Sequence, residues 1–327
     1  MTETFEPQVL TVCLNPTLQR TVTLGSALRV GDVNRATSVL TTASGKGVNV
    51  ARVLEQLGVC ALHLCQAHAT APTAARFLAL ASADGVHVTA VDPGTDADVR
   101  CCTTLVDTST RTATEIVEPG ARVAPETPTR VLAALETVLA THAHSLRAVV
   151  ISGSAAPGFA PAHIAALAHA ARAHGLLVVL DVRGADLAAC LACRPDIVKP
   201  NAAELAATFP DAAAGTAAAL GACAMRLWRE HGTRAVITRG AEPTLFVDAH
   251  GVLRTEPVVP LAPEEIANTI GCGDSFAAGF VAAAIARPRD AVPADGDDSS
   301  DWVLEAVRAG HRAAAQNAHT LSPGSLH

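Results

Sequence analysis

Short runs of Val, Leu and Ile alternate along this chain with longer alanine-rich stretches whose apolar residues recur at helical spacing. That alternation predicts an α/β fold built on a mainly parallel sheet, whose central strands are apolar on both faces. Buried strands are predicted at 9–14, 148–152, 176–181, 196–198 and 235–238. Helices are predicted at 48–57, 73–82, 128–141, 161–174, 203–209, 216–231, 275–286 and 302–318. Two regions, 21–40 and 86–117, break the rhythm. They are Thr-rich, alternate in polarity and carry turns at Pro93-Gly94 and Asp107-Thr108-Ser109-Thr110, which predicts a small antiparallel sheet beside the main one. No linker or internal repeat appears, so residues 1–327 read as one domain. The segment 287–301, with two prolines and five aspartates, reads as a solvated loop.

Composition narrows the class. Half of the 327 residues are apolar and 17% are charged, which excludes intrinsic disorder. The longest apolar stretch, 276–286, is about half of the ~20 residues a membrane helix needs, and the N-terminus lacks a leader pattern, so a cytoplasmic protein is expected. A net charge of −7, no Tyr, two Trp and no basic run argue against a nucleic-acid partner. Nine cysteines scattered through apolar runs read as reduced, buried thiols. The Cys190/Cys193 pair lies in an alanine-rich predicted helix and reads as core packing, not as half of a zinc site. His142 and His144 fall at a predicted helix end, as solvated side chains.

Lysine usage is more informative. Of the 24 Lys and Arg residues only Lys46 and Lys199 are lysines. A bias that replaces Lys by Arg on solvated surfaces spares positions that need a compact ammonium on a flexible stem.

Both lie in segments that suggest chemistry. Gly45-Lys46-Gly47 opens a predicted helix and is not a Walker loop, since Gly47 stands where Ser or Thr would follow the lysine. Its turn offers N–H groups, Lys46 a mobile charge, and Asn49 a donor and an acceptor for a polyol or phosphate, or the segment is an ordinary helix start. After a predicted strand, Lys199-Pro200-Asn201 leads to Glu204. Asn201 and Glu204, three apart, suit either a hydrated Mg²⁺ or an N-cap with a first-turn acid. Gly271-Cys272-Gly273-Asp274 opens the most apolar predicted helix. Its N–H groups and the positive helix end suit a phosphate or a developing anion. Asp274 would oppose an anion as a mere ligand. It fits as a general base taking a proton from an attacking hydroxyl, or as a helix cap.

With these segments in view the chain resembles the ribokinase-like sugar kinases of the PfkB type. Gly271-Cys272-Gly273-Asp274 resembles that family's Gly-Ala-Gly-Asp signature, and the run from Ser44 to Arg52 its Gly-Gly-Lys-Gly-x-Asn-Val-Ala-Arg segment. Cys13-Leu14-Asn15-Pro16-Thr17-Leu18-Gln19, with Gly31-Asp32-Val33-Asn34-Arg35, resembles the opening of the phosphosugar branch, the 1-phosphofructokinases and tagatose-6-phosphate kinases. Further matches are Gly153 to Gly158, Lys199 to Glu204, Thr238 to Ala241, and Asn317 with Ser322-Pro323-Gly324. Gln19 stands where the branch usually has aspartate, Cys272 where the signature has alanine, and Pro243 where glycine is usual.

The resemblance implies a ribokinase-like three-layer sandwich, a central mainly parallel sheet with helices on both faces. It also implies a small β lid, here from about 20–42 and 86–118, that closes over the sugar and pairs two subunits as a homodimer. It implies transfer of the γ-phosphoryl group of ATP, with Mg²⁺, to a hydroxyl of a ketohexose phosphate. By it Asp274 is the base, and Gly271, Cys272 and Gly273 form an anion hole. Gln19, Gly45, Lys46, Asn49 and Arg100 hold the phosphosugar, with Arg35 a further candidate. Lys199, Asn201, Thr238, Gly240 and Asn317 border the nucleotide, and Glu204 with Asn201 faces Mg²⁺ through water or phosphate. Two alternatives stay open: a kinase of an unphosphorylated sugar or nucleoside, which leaves Lys46 and Arg100 without a phosphate, and a catalytically weak sugar-phosphate or nucleotide sensor.

Overall fold

The computed structural model describes residues 5–110, 112–287 and 301–326. The expected loop at 287–301 therefore lies, apart from its two end residues, outside the described residues, as does the start of the chain. In order, the elements are β1 (Val9–Cys13), β2 (Thr17–Leu24), β3 (Ala36–Ser44), α1 (Lys46–Gln56), β4 (Ala61–Gln66), α2 (Pro72–Ala83) and β5 (His87–Val91). There follow β6 (Arg100–Asp107), β7 (Thr112–Val117), α3 (Thr127–Thr141), β8 (Ala148–Ser152), α4 (Pro161–Ala173), β9 (Leu177–Asp181), α5 (Gly184–Cys190) and β10 (Ile197–Val198). The chain continues through α6 (Ala202–Thr208), α7 (Ala217–His231), β11 (Arg234–Arg239), β12 (Glu242–Val247), β13 (Leu253–Glu256), α8 (Cys272–Ile285) and α9 (Trp302–Ala318).

Nine strands form the main sheet in the order β13-β12-β11-β10-β9-β8-β1-β4-β5. All its neighbours from β11 to β5 pair parallel, and β12 and β13 add an antiparallel edge. Alternate residues of each strand enter different cores. Leu10, Val12, Val149, Ile151, Val178 and Leu180 pack on one face with α3, α4 and α7. Val9, Cys65, Val150 and Val179 pack on the other with α1, α2, α8 and α9. This is the expected layered sandwich, and the alternation explains why Asp181, two residues after Val179, emerges on the α1 side. On that side Thr11 Oγ1 and His63 Nδ1 lie 2.8 Å apart beneath Gly47. A Cβ on Gly47 would stand 2.7 Å from Cys13 Cβ and 2.9 Å from His63 Cε1, so the glycine lets α1 lie directly on the sheet.

The second sheet, in the order β3-β2-β6-β7, is the expected lid, with two corrections. It is mixed and not antiparallel, because β2 and β6 run parallel from Thr17 beside Arg100 to Leu24 beside Asp107. Residues 87–91, assigned to the lid by their alternating polarity, instead form the main sheet's edge strand beside β4, where Val88 and Val91 pack on opposite cores and no residue is fully buried. The Asp107 turn is present, its Oδ1 accepting from the amides of Ser109 and Thr110. The sequence pattern does not identify β4, where His63 interrupts the apolar run, or the β12–β13 hairpin. Cys190 ends α5 and Cys193 lies in a tight turn after it, its thiol donating to Cys190 O, in keeping with a packing role.

Candidate active site

Ligands of open α/β sheets bind at the carboxyl ends of the strands, and the charged residues gather there. Asp181 ends β9, Lys199 follows β10, and the N-termini of α1 and α8 face them. Lys46 Nζ lies 3.3 Å from Asp181 Oδ1 and 3.2 Å from Glu204 Oε1. Lys199 Nζ lies 3.4 Å from Asp181 Oδ2, and Asp181 is 2% exposed. Although burial works against its charge, Asp181, Asp274 and Glu204 together hold the Lys46 pKa above the ordinary lysine value. The two lysines of the chain therefore share one buried carboxylate. Asp181 was not among the residues singled out from sequence, though an aspartate ending a buried Leu-Val-Val-Leu run was the signal for it.

Asp274 lies in the first turn of α8 and is 7% exposed. Its Oδ2 accepts from Asn49 Nδ2 at 2.7 Å. Burial, reinforced by Asp181, pushes its carboxyl pKa up to about 6 against the pull of Lys46, Asn49 and Lys199. No cap hydrogen bond is made by the residue before α8, Gly271, whose φ of 85° is left-handed. Asp274 itself points at Asn49 and is not the cap. It is thus a carboxylate with an elevated pKa, beside two ammonium groups, at the positive end of a helix: an arrangement suited to accept a proton from a hydroxyl while an anion is held nearby.

The anion hole needs one correction. Cys272 N donates to Thr269 O at 3.3 Å, closing a turn, so that amide is engaged. The Gly273 and Asp274 amides are the ones the first helical turn cannot use internally. Lys199 Nζ stands 3.9 Å from where a Cβ of Gly273 would be, which sets a positive charge over this loop. Asn317 supports this loop. It is fully buried; its Oδ1 accepts from Ser275 Oγ, Gly324 N and Ser325 N, and its Nδ2 donates to Ile270 O and Cys272 Sγ. It braces the loop through these bonds.

Asn201, Thr238 and Gly240 line a cleft of about 470 Å³, within the usual size of a small-ligand site. Asn201 caps α6, its Oδ1 accepting from Glu204 N at 2.8 Å while Glu204 Oε2 accepts from Asn201 N at 3.0 Å. The capping alternative is therefore realised, and Glu204 Oε1 still reaches Lys46. Among the described residues no group of three His, Cys, Asp or Glu side chains forms a metal cage. One or two carboxylates fit Mg²⁺, which keeps its waters and needs no cage, and Asp181 Oδ2 has only the Lys199 ion pair at 3.4 Å as a partner.

At the lid's root Arg100 Nε donates to Thr17 Oγ1 at 3.0 Å and Nη1 to Glu118 O at 3.3 Å. Gln19, 3% exposed, donates from Nε2 to Thr104 Oγ1 at 2.6 Å. Gly45 precedes Lys46 directly as the residue before α1. Arg35 is exposed in the β2–β3 connection, at the end of β2 away from Thr17, and is not brought to the cluster.

A family model described as pfkB family carbohydrate kinase matches residues 18–325. A 1-phosphofructokinase of Rhodobacter capsulatus is 33% identical over 279 residues, covering 85% of this chain and 84% of that protein. A 1-phosphofructokinase of Xanthomonas campestris is 35% identical over 285 residues, covering 84% of each. Among solved structures, phosphofructokinase-2 from Escherichia coli in complex with substrates and products superposes with a TM-score of 0.76 at 22% identity, covering 95% of this chain and 93% of that one.

Proposed function

The chain belongs to the pfkB family of carbohydrate kinases, and from that premise we propose that it transfers the γ-phosphoryl group of ATP to a hydroxyl of a ketohexose phosphate, with fructose 1-phosphate the leading substrate. The observation that carries this reading is Asp274, a buried carboxylate with its pKa raised to about 6, set between the Asn49 amide and two ammonium groups. As the carboxylate it takes the proton of the attacking hydroxyl. The Gly273 and Asp274 amides and Lys199 offset the negative charge that spreads over the transferring phosphoryl group. Lys46, held between Asp181 and Glu204, is placed to add a second positive charge there.

Asn201, Thr238 and Gly240 form the wall of the cleft assigned to the nucleotide. Glu204 and Asp181 would hold Mg²⁺ through its waters, and the ion would neutralise phosphate charge. Arg100, with Gly45, Asn49 and Gln19, faces the phosphosugar from the lid's root. The lid carries Val39, Ile116 and Val117, each roughly half exposed, and we extend the reading to a homodimer that pairs through the lid. Among the described residues no helix is long and apolar enough to cross a membrane, which is consistent with a cytoplasmic enzyme.

ADP release measured with MgATP and a panel of fructose 1-phosphate, fructose 6-phosphate, tagatose 6-phosphate, fructose and adenosine tests the reading. The highest kcat/KM is expected for a ketohexose phosphate. A preference for fructose or adenosine would favour the unphosphorylated-substrate alternative, and no turnover with any of them would favour a sensor.

A further inference from the structure

Arg52 is charged, 3% exposed and on α1 one turn beyond Asn49. Its Nε donates to Asp84 Oδ2 at 2.8 Å, and its Nη2 donates to Ala43 O at the end of lid strand β3. Its Nη1 reaches Pro323 O at 3.1 Å, Gly324 O at 3.4 Å and Asn49 Oδ1 at 3.2 Å. Every nitrogen of the guanidinium thus has a partner within the protein.

The contact with Asn49 has a directional consequence. Guanidinium only donates, so the Asn49 atom that meets it must be the oxygen. Ser44 Oγ donates to the same oxygen at 3.2 Å. With Oδ1 fixed by two donors, the NH₂ group is left on the side of Asp274, whose Oδ2 lies 2.7 Å away and, as a carboxylate oxygen, only accepts. The opposite rotamer would set NH₂ against guanidinium and oxygen against carboxylate, two repulsive contacts replacing two hydrogen bonds.

We propose that Arg52 is a positioning residue for phosphoryl transfer: it locks the Asn49 carboxamide so that a donor always faces Asp274, keeping that side chain aimed and in its proton-accepting form. The proposal rests on the reading of Asp274 as the base. The charged groups that otherwise face Asp274 are Lys46 on α1, Asp181 on β9 and Lys199 after β10. Arg52 acts through Asn49 and is separate from them. Lysine cannot replace it, since one ammonium cannot serve Asp84, Ala43, the 323–324 carbonyls and Asn49 at once.

The test compares Arg52→Lys, Asn49→Ala, the double variant and Asp84→Ala in the full chain. Arg52→Lys is expected to lower kcat by about 10- to 100-fold, leave both KM values within about threefold, and move the acid limb of the kcat–pH profile to higher pH, because Asp274 loses a donor that favours its charged form. In the Asn49→Ala background the same substitution should change kcat less than about twofold, the mark of action through one residue. Asp84→Ala, which removes only the outer ion pair, should keep the parent profile. A folded Arg52→Lys enzyme with the parent kcat and profile overturns the proposal, as does an undiminished effect in the Asn49→Ala background. Should Arg52→Lys not fold, Arg52→Met, which keeps the stem and removes every donor, decides: a shift of the acid limb in the same direction, absent in Asp84→Ala, is expected, and no shift overturns the proposal. Asp274→Asn separates the two readings. Retained turnover there removes the base assignment itself, whereas an inactive Asp274→Asn with an unshifted Arg52→Lys removes only the relay.

Discussion

Gly271 and Gly324 meet backbone to backbone: a Cβ on Gly271 would overlap the amide nitrogen of Gly324 and sit 3.0 Å from Pro323 Cα. Gly271 is also left-handed, at φ 85°, so it lacks a side chain for two independent reasons. Gly324, at φ 63°, is equally confined, since a Cβ there would lie 2.8 Å from Asn49 Cα. The C-terminal segment is thus wedged between the anion loop and the helix that carries Asn49. Gly271→Ala is expected to cost about 2–4 kcal/mol of stability and at least tenfold in kcat. Urea unfolding and steady-state kinetics check this. An unchanged midpoint and rate would mean that the contact is not maintained in solution.

The two lysines lead to a prediction about coupling. Lys46 and Lys199 both contact Asp181, so Lys46→Arg and Lys199→Arg should each raise KM for MgATP. Their combined effect should fall short of the sum by about 0.5 kcal/mol or more. By the resemblance Lys46 holds the phosphosugar instead, and the KM that moves decides between the two placements. If Lys46→Arg raises only the sugar-phosphate KM, the lysine swings away from Asp181 when substrate binds.

Gln19 is held by Thr104 inside the lid sheet, where the phosphosugar branch usually has aspartate. A neutral amide makes a weaker bond to a sugar hydroxyl than a carboxylate does, by about 1 kcal/mol or more. Gln19→Asp is therefore expected to raise kcat/KM for fructose 1-phosphate by up to about tenfold. Loss of activity on the best substrate would show that the amide selects another sugar.

Asp274 also links activity and stability to pH. Its folded pKa, about 6, lies above the ordinary aspartate value, so the fold prefers the protonated form. The cost of the charged form is absent below about pH 4, grows as pH rises to about 6, and is constant above. Asp274→Asn, neutral throughout, should unfold at higher temperature than the parent at pH 7.5, by about 1–3 kcal/mol of stability, and no higher at pH 4. Calorimetry at the two pH values checks the sign. A variant less stable at pH 7.5 would mean that Lys46 and Lys199 outweigh burial.

Much of the α/β frame was legible because parallel strands are apolar on both faces and the helices between them are periodic. What escaped was local. His63 hid β4, because its hydrogen bond to Thr11 makes a polar residue acceptable in a buried strand. The alternating polarity of 87–91 looked like the lid because an edge strand of the main sheet shows the same period. At the site, glycine turns and isolated lysines marked Gly45, Lys46, Lys199, Gly271 and Asp274, since each stands out locally. Asp181 carried only the mark of an aspartate ending an apolar strand, and the role of Arg52 was not legible, because it lies in contacts with the lid strand and the C-terminal segment. The bracing role of Asn317 was hidden for the same reason: its motif fixes its neighbourhood but not the loop contacts it makes.

The account turns on Asp274 as the base, and the turnover of Asp274→Asn tests it most directly. The substitution keeps size and cannot accept the proton. Turnover with MgATP and the best ketohexose phosphate should fall by roughly 10²- to 10⁴-fold, with both ligands still binding by calorimetry, while parent kcat rises with pH through about 6. Turnover within a few-fold of the parent, with a pH profile unchanged, would contradict the account.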